Sequence, residues 1–175
     1  KQHIQFIKEA LQPSIGTSLL DHEIGKLFLP KLIREGAKEL MIELLDVILH
    51  YRKSDREHIH EYISIIDPYY LKETIDENKK GISGVCAVEA ANVAIRKMQE
   101  ILKEDKTQFN YIWIPAIEDH EQTSFPDRYE CQLVHFVRDM LEAADPKKIE
   151  PTVKDMLGEE HDIFKRLAYH LINHH

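Results

Sequence analysis

An apolar residue recurs every three to four positions through almost the whole chain, and this period is the strongest constraint on what it can fold into. Between residues 37 and 51, Leu40, Met41, Leu44, Leu45, Val47, Ile48 and Tyr51 form one wide stripe, while Glu39, Glu43, Asp46 and His50 take the other side. A stripe this wide predicts a helix buried against more than one neighbour. Upstream, Ile24, Leu27, Phe28, Leu32 and Ile33 repeat the pattern. Pro30 is expected to bend or interrupt that helix and Gly36 to end it. Residues 2–11 read as a shorter amphipathic start that stops near Pro13.

Asp67-Pro68 is a strong helix opening, because Asp caps free backbone N–H groups and Pro is preset for the first helical position. The predicted helix carries Tyr69, Tyr70, Leu71 and Ile75 and ends near Lys80-Gly81. A second helix over 83–104 buries Val85, Val88, Ala91, Ile95, Met98, Ile101 and Leu102, its Ala-rich early half allowing close approach. Only 109–117 is continuous and aromatic enough for a strand. Pro115 and the want of a partner strand favour a buried turn or short helix around Trp113. A helix from near Pro126 presents Tyr129, Leu133, Phe136, Val137, Met140 and Leu141 to the core. Asp145-Pro146 opens another, which restarts at Pro151 and ends at Gly158. Ile163, Phe164, Leu167, Ala168, Leu171 and Ile172 line the last.

Six glycines and seven prolines in 175 residues leave few turns between long elements. The expected fold is a single all-α domain over 1–175: about eight helices in stacked antiparallel hairpins, an α-solenoid of the HEAT/TPR kind. A closed bundle is the alternative. Asp67 and Asp145 stand two steps of about 39 residues apart, close to the period of such repeats.

Thirty-one acids against 23 bases give a net charge of −8. Duplex binding needs a concentrated basic face, and Lys79-Lys80 and Lys147-Lys148 are short and flanked by Glu77 and Glu150, so nucleic acid is not an expected partner. No apolar run approaches the roughly 18 residues that span a bilayer, and no leader opens the chain, so a cytoplasmic location is expected and a membrane is not. Cys86 and Cys131 are too few for a disulfide framework and read as buried reduced thiols. The chain starts without Met and stops at His174-His175 inside a helical pattern. It reads as part of something longer, the terminal pair fitting both a continuing helix and a tag remnant.

Eleven histidines raise the question of metal. A ferritin-like site needs two Glu-x-x-His pairs plus two more carboxylates, and the chain offers one, Glu57 to His60. His58, His60 and Glu61 therefore read as a solvated polar helix start. His170 and His174 have zinc-ligand spacing, but Arg166 one turn earlier puts a cation on the same face, which favours surface histidines. Glu39, Glu43, Asp46 and His50 read as a solvated helix exterior. Glu118-Asp119-His120-Glu121 reads as capping and ion pairing with Arg128 or Arg138, since it lacks HExxH spacing. With no P-loop, GxGxxG or GxSxG, no catalytic, cofactor-binding or metal residue is assigned.

Two segments, Trp113-Ile114-Pro115-Ala116-Ile117-Glu118-Asp119-His120-Glu121-Gln122 and Asp162-Ile163-Phe164-Lys165-Arg166-Leu167-Ala168-Tyr169-His170-Leu171, resemble helical-repeat segments of large bacterial STAND NTPases, the Avs (AVAST) antiviral proteins among them. The resemblance covers about 110–175. It implies the C-terminal sensor region of such a protein, in which a helical array recognises a viral protein and triggers ATP-dependent oligomerisation of a parent ATPase. The matching residues are structural, Trp113 and Ile117 as core anchors and Phe164 and Leu167 as hairpin packing, and the family's catalytic residues have no counterpart. The expectation is a non-enzymatic module that needs no cofactor and binds a protein ligand, with Tyr69, Tyr70, Tyr111 and Trp113 as anchors wherever they are exposed. The competing readings are a histidine/carboxylate metal-binding bundle built on His58 and His60, and a plain structural scaffold.

Overall fold

A computed structural model describes residues 2–10, 18–53, 62–106, 109, 117–118 and 128–175. Tyr111, Trp113, His58, His60, Glu61 and His120 lie outside the described residues. The described residues form eight α-helices, one π-helical turn and a two-stranded antiparallel hairpin. The chain is mostly helical, as the period predicts.

Helix α1 (Gln2–Ala10) and α2 (Ser18–Glu23) precede a π-helical turn, Ile24–Phe28, that leads into α3 (Leu29–Glu35). Pro30 interrupts the α geometry as expected. It has no N–H to return to the preceding turn, and the ladder widens to a Leu29 N–H donating to the Ile24 carbonyl. The wider turn carries an extra residue, which rotates Leu27 out of the expected stripe into solvent. Gly36 closes α3 in the left-handed region at φ 60°, ψ 29°, and Ala37 N–H donates to the Leu32 carbonyl at 3.0 Å, the paired bonds of a glycine-terminated helix.

Helix α4 (Lys38–Ile48) buries Met41, Leu44, Leu45, Val47 and Ile48 of the predicted stripe and leaves Leu40 half-buried. It stops before Tyr51, which belongs instead to β1 (Tyr51–Lys53), paired with β2 (Tyr62–Ser64). Three residues per strand carry no sequence signal, and distant contacts hold them. The Tyr51 and Tyr62 hydroxyls donate to Glu104 at 3.3 and 3.5 Å, and Lys53 Nζ lies 2.8 Å from the same carboxylate. Burial, with Glu104 nearby, pushes the Tyr51 phenol up to about 12, so it remains a donor.

Helix α5 (Pro68–Glu104) consists of two helical stretches, as predicted, but they meet at a kink at Cys86 (φ −154°, ψ 47°) rather than breaking near Gly81. Thirty-seven residues would make a straight rod about 55 Å long. Yet Tyr62, which touches Glu104 at the far end, is followed within about 20 Å of chain by Pro68. Cys86 is therefore a sharp corner that brings the two ends of α5 towards each other. Gly81 serves packing instead of termination, because a Cβ there would stand 2.8 Å from Ile33 Cδ1 and Cγ2.

Helix α6 (Tyr129–Glu142) buries all six predicted core residues. Helix α7 (Pro146–Gly158) runs through Pro151 without restarting, and α8 (Asp162–His174) buries Ile163, Phe164, Leu167, Ala168 and Leu171 but leaves Ile172 exposed. Both predicted Asp caps form: Asp67 Oδ1 accepts from Tyr69 N–H and Asp145 Oδ1 from Lys147 N–H, each at 2.9 Å.

Cys86 and Cys131 are free and buried, and burial pushes both thiols up to about 11. At pH 8 the reactive thiolate of such a group is about one part in a thousand. A disulfide reagent should therefore label the native protein slowly and release two equivalents only in denaturant. Rapid labelling of either thiol under native conditions would contradict this burial.

Candidate functional site

The first turn of α5 carries the two predicted anchors that fall among the described residues. Its start is held from two sides: Asp67 N–H donates to Asp21 Oδ2 at 3.2 Å, and Gln132 Nε2 donates to the Pro68 carbonyl at 3.1 Å. On this fixed turn Tyr69 is 67% exposed, the largest exposure among the described large hydrophobic side chains, while Tyr70 is half-buried. Their rings meet edge to face at 5.4 Å, and Tyr70 meets His22 of α2 in the same way at 6.1 Å. A row of three rings thus opens to solvent where α2 ends and α5 and α6 begin. An exposed ring already ordered by its neighbours loses little freedom on binding, which is what an interface anchor requires.

Of the acidic and histidine candidates, the α4 face does not converge on a point. Asp46 lies 3.0 Å from the buried Lys97, an ion pair between α4 and α5, and His50 lies against Tyr51. Glu118 is exposed, and buried Arg138 donates to the adjacent Ile117 carbonyl at 2.8 Å while Asp139 receives its Nε and Nη2. These bonds go to the Ile117 backbone and to Asp139 and not to Glu118, and the rest of the predicted cluster, residues 119–121, lies outside the described residues.

His170 and His174 do come together with a third group. They project from one side of α8, one turn apart, and the last residue of α6, Glu142, faces both. Glu142 Oε1 lies 2.6 Å from His170 Nε2 and 3.8 Å from His174 Nδ1, and the three donor atoms lie within 4.8 Å of one another. No other described group of three His, Cys, Asp or Glu side chains is this close. The cluster edges a groove of about 810 Å³ whose wall also includes Lys79, Arg138 and Asp139. Arg166 stands one turn before His170 and is exposed. The His pair was legible as spacing. Glu142 was not, because it sits on another helix, and the α6–α8 packing alone delivers it.

Among the described residues, no helix is long and apolar enough to cross a membrane. No known protein family, curated protein or solved structure matches the chain.

Proposed function

We propose that the chain is a non-enzymatic helical-repeat module that binds a protein ligand. The register of contacts between layers carries this reading. Lys26 pairs with Glu77, and Lys38 with Glu89 at 2.5 Å, each 51 residues on. Asp46 with Lys97 and Lys53 with Glu104 keep that same separation. Segments that run side by side in one direction keep a constant difference between partners, whereas antiparallel neighbours keep a constant sum. The path from 26 to 53, including its corner at Gly36, therefore follows the path from 77 to 104 with its corner at Cys86.

A third pass keeps step at 60 residues, through Lys79 to Asp139 at 2.8 Å and Gln99 to Glu159 at 2.5 Å. This register sets the α6–α7 turn against Cys86, and Lys38, Cys86 and Asp145 line one groove. Corners that recur in line support a stack of hairpins over an up-and-down bundle. In this reading the layers are spaced by 51 and 60 residues instead of 39, and Asp145 aligns with the Cys86 corner.

Stacked repeats touch only their neighbours and leave an extended flank for a partner. The Tyr69–Tyr70–His22 row lies at the end opposite the corners. The resemblance to STAND sensor regions makes a viral protein the ligand of choice, with the ATPase and effector in a longer parent. Purified chain immobilised against a panel of viral structural and packaging proteins should retain one of them at micromolar affinity or better. Tyr69→Ala should weaken that complex by about tenfold, as truncation of an aromatic anchor does. Failure to retain any member of the panel, or a complex indifferent to Tyr69→Ala, would count against this function.

A further inference from the structure

The Glu142–His170–His174 cluster has a geometry that a hydrogen bond does not account for. A carboxylate that bonds one imidazole at 2.6 Å needs no second one, yet the His174 ring is aimed at the same oxygen from 3.8 Å, beyond hydrogen-bond reach. The two rings lie nearly parallel, 28° apart with centroids separated by 6.3 Å, so both present nitrogen to one side of α8. Two imidazoles and a carboxylate converging on a point are a donor set of zinc and the divalent ions that share its preferences.

The distances can be tested against that chemistry. Ligand atoms about 2.0–2.1 Å from a tetrahedral zinc stand about 3.4 Å from one another. The two separations from Glu142, 2.6 and 3.8 Å, lie either side of this value, and side-chain shifts of less than about 1 Å bring both to it. The Nε2 of His170 faces the cluster, and its Nδ1 faces outward, with Glu118 Oε1 3.9 Å away, beyond hydrogen-bond reach. The helices bearing the ligands are fixed as well, since His175 Nε2 lies 3.2 Å from the Leu141 carbonyl beside Glu142, and Phe164, Leu167 and Leu171 are buried.

We propose that Glu142, His170 and His174 form a zinc-class divalent-cation site that clips α8 to the end of α6 and leaves a fourth position open at the groove. It would bind its ion whether or not the chain holds a protein partner. The test uses the full chain, stripped with chelator and titrated calorimetrically with zinc chloride alone. One equivalent should bind at micromolar affinity or tighter, and saturation should raise the melting temperature by about 5 °C. His174→Ala, at a half-exposed position near the end of α8, should lower the affinity at least tenfold. Glu142→Gln, which keeps a hydrogen-bond partner for His170, should do the same, whereas His50→Ala should bind zinc as the parent does. Absence of stoichiometric uptake, or uptake unchanged by both His174→Ala and Glu142→Gln, would overturn the assignment.

Discussion

Asp139→Ala is expected to destabilise the chain by about 3 kcal/mol, the cost of removing one partner from a buried ion pair. Arg138 is only 6% exposed, and Asp139 Oδ1 takes its Nε at 2.8 Å and its Nη2 at 2.5 Å. The same carboxylate group accepts Lys79 Nζ of α5 at 2.8 Å through Oδ2. Truncation leaves a buried guanidinium without the carboxylate that offsets its desolvation, and also releases the strut from α6 to α5. Lys79→Ala removes only the half-exposed partner and should cost less than 1 kcal/mol, as solvent-screened pairs do. Thermal melts read the contrast: for a chain of this length Asp139→Ala should lower the midpoint by about 6–12 °C and Lys79→Ala by under 4 °C. Equal effects from the two substitutions would show that burial of Arg138 is not what makes the carboxylate important.

The second large effect comes from one hydrogen atom. Gly25 lies in the π-helical turn against α5, where an added Cβ would collide with Thr74 Oγ1 and stand 3.2 Å from Thr74 Cβ and 3.3 Å from its Cα. Rotating the threonine side chain moves Oγ1 but neither of the other two atoms. The approach is also bonded, since Asn78, 6% exposed, donates through Nδ2 to the Gly25 carbonyl at 3.0 Å. Gly25→Ala gains about 1 kcal/mol of helix propensity, against about 1–3 kcal/mol for overpacking and a similar amount for the strained buried amide. The net expectation is a loss of about 2 kcal/mol, read as a shift in denaturant midpoint at constant slope. Thr74→Ala removes Oγ1 but keeps Cβ and Cα, so it should recover only part of the loss in the double variant. A Gly25→Ala protein as stable as the parent would mean that α5 yields at this point.

What was legible in the chain was whatever depends on neighbours a few residues away. The α4 stripe, the Asp67 and Asp145 caps, the left-handed close at Gly36, the disturbance at Pro30 and the six core residues of α6 all follow from helical periodicity and backbone chemistry. The two proposed anchors, Tyr69 and Tyr70, were legible as residue types in a first turn; their ring row with His22 was not.

Tertiary contact decided the rest. The chain turns at Cys86 and not at Gly81 because Ile33 occupies the space beside the glycine, so that the signal of a helix stop became a packing notch. Tyr51 left its helical stripe for a strand because Glu104, more than fifty residues on, collects two hydroxyls and an ammonium group. His170 and His174 became a three-donor cluster only when α6 delivered Glu142 to their side. Local spacing fixes which residues share a face of a rod. Which faces meet, and therefore which groups converge, is set by the packing of rods distant in the chain, and no single segment encodes it.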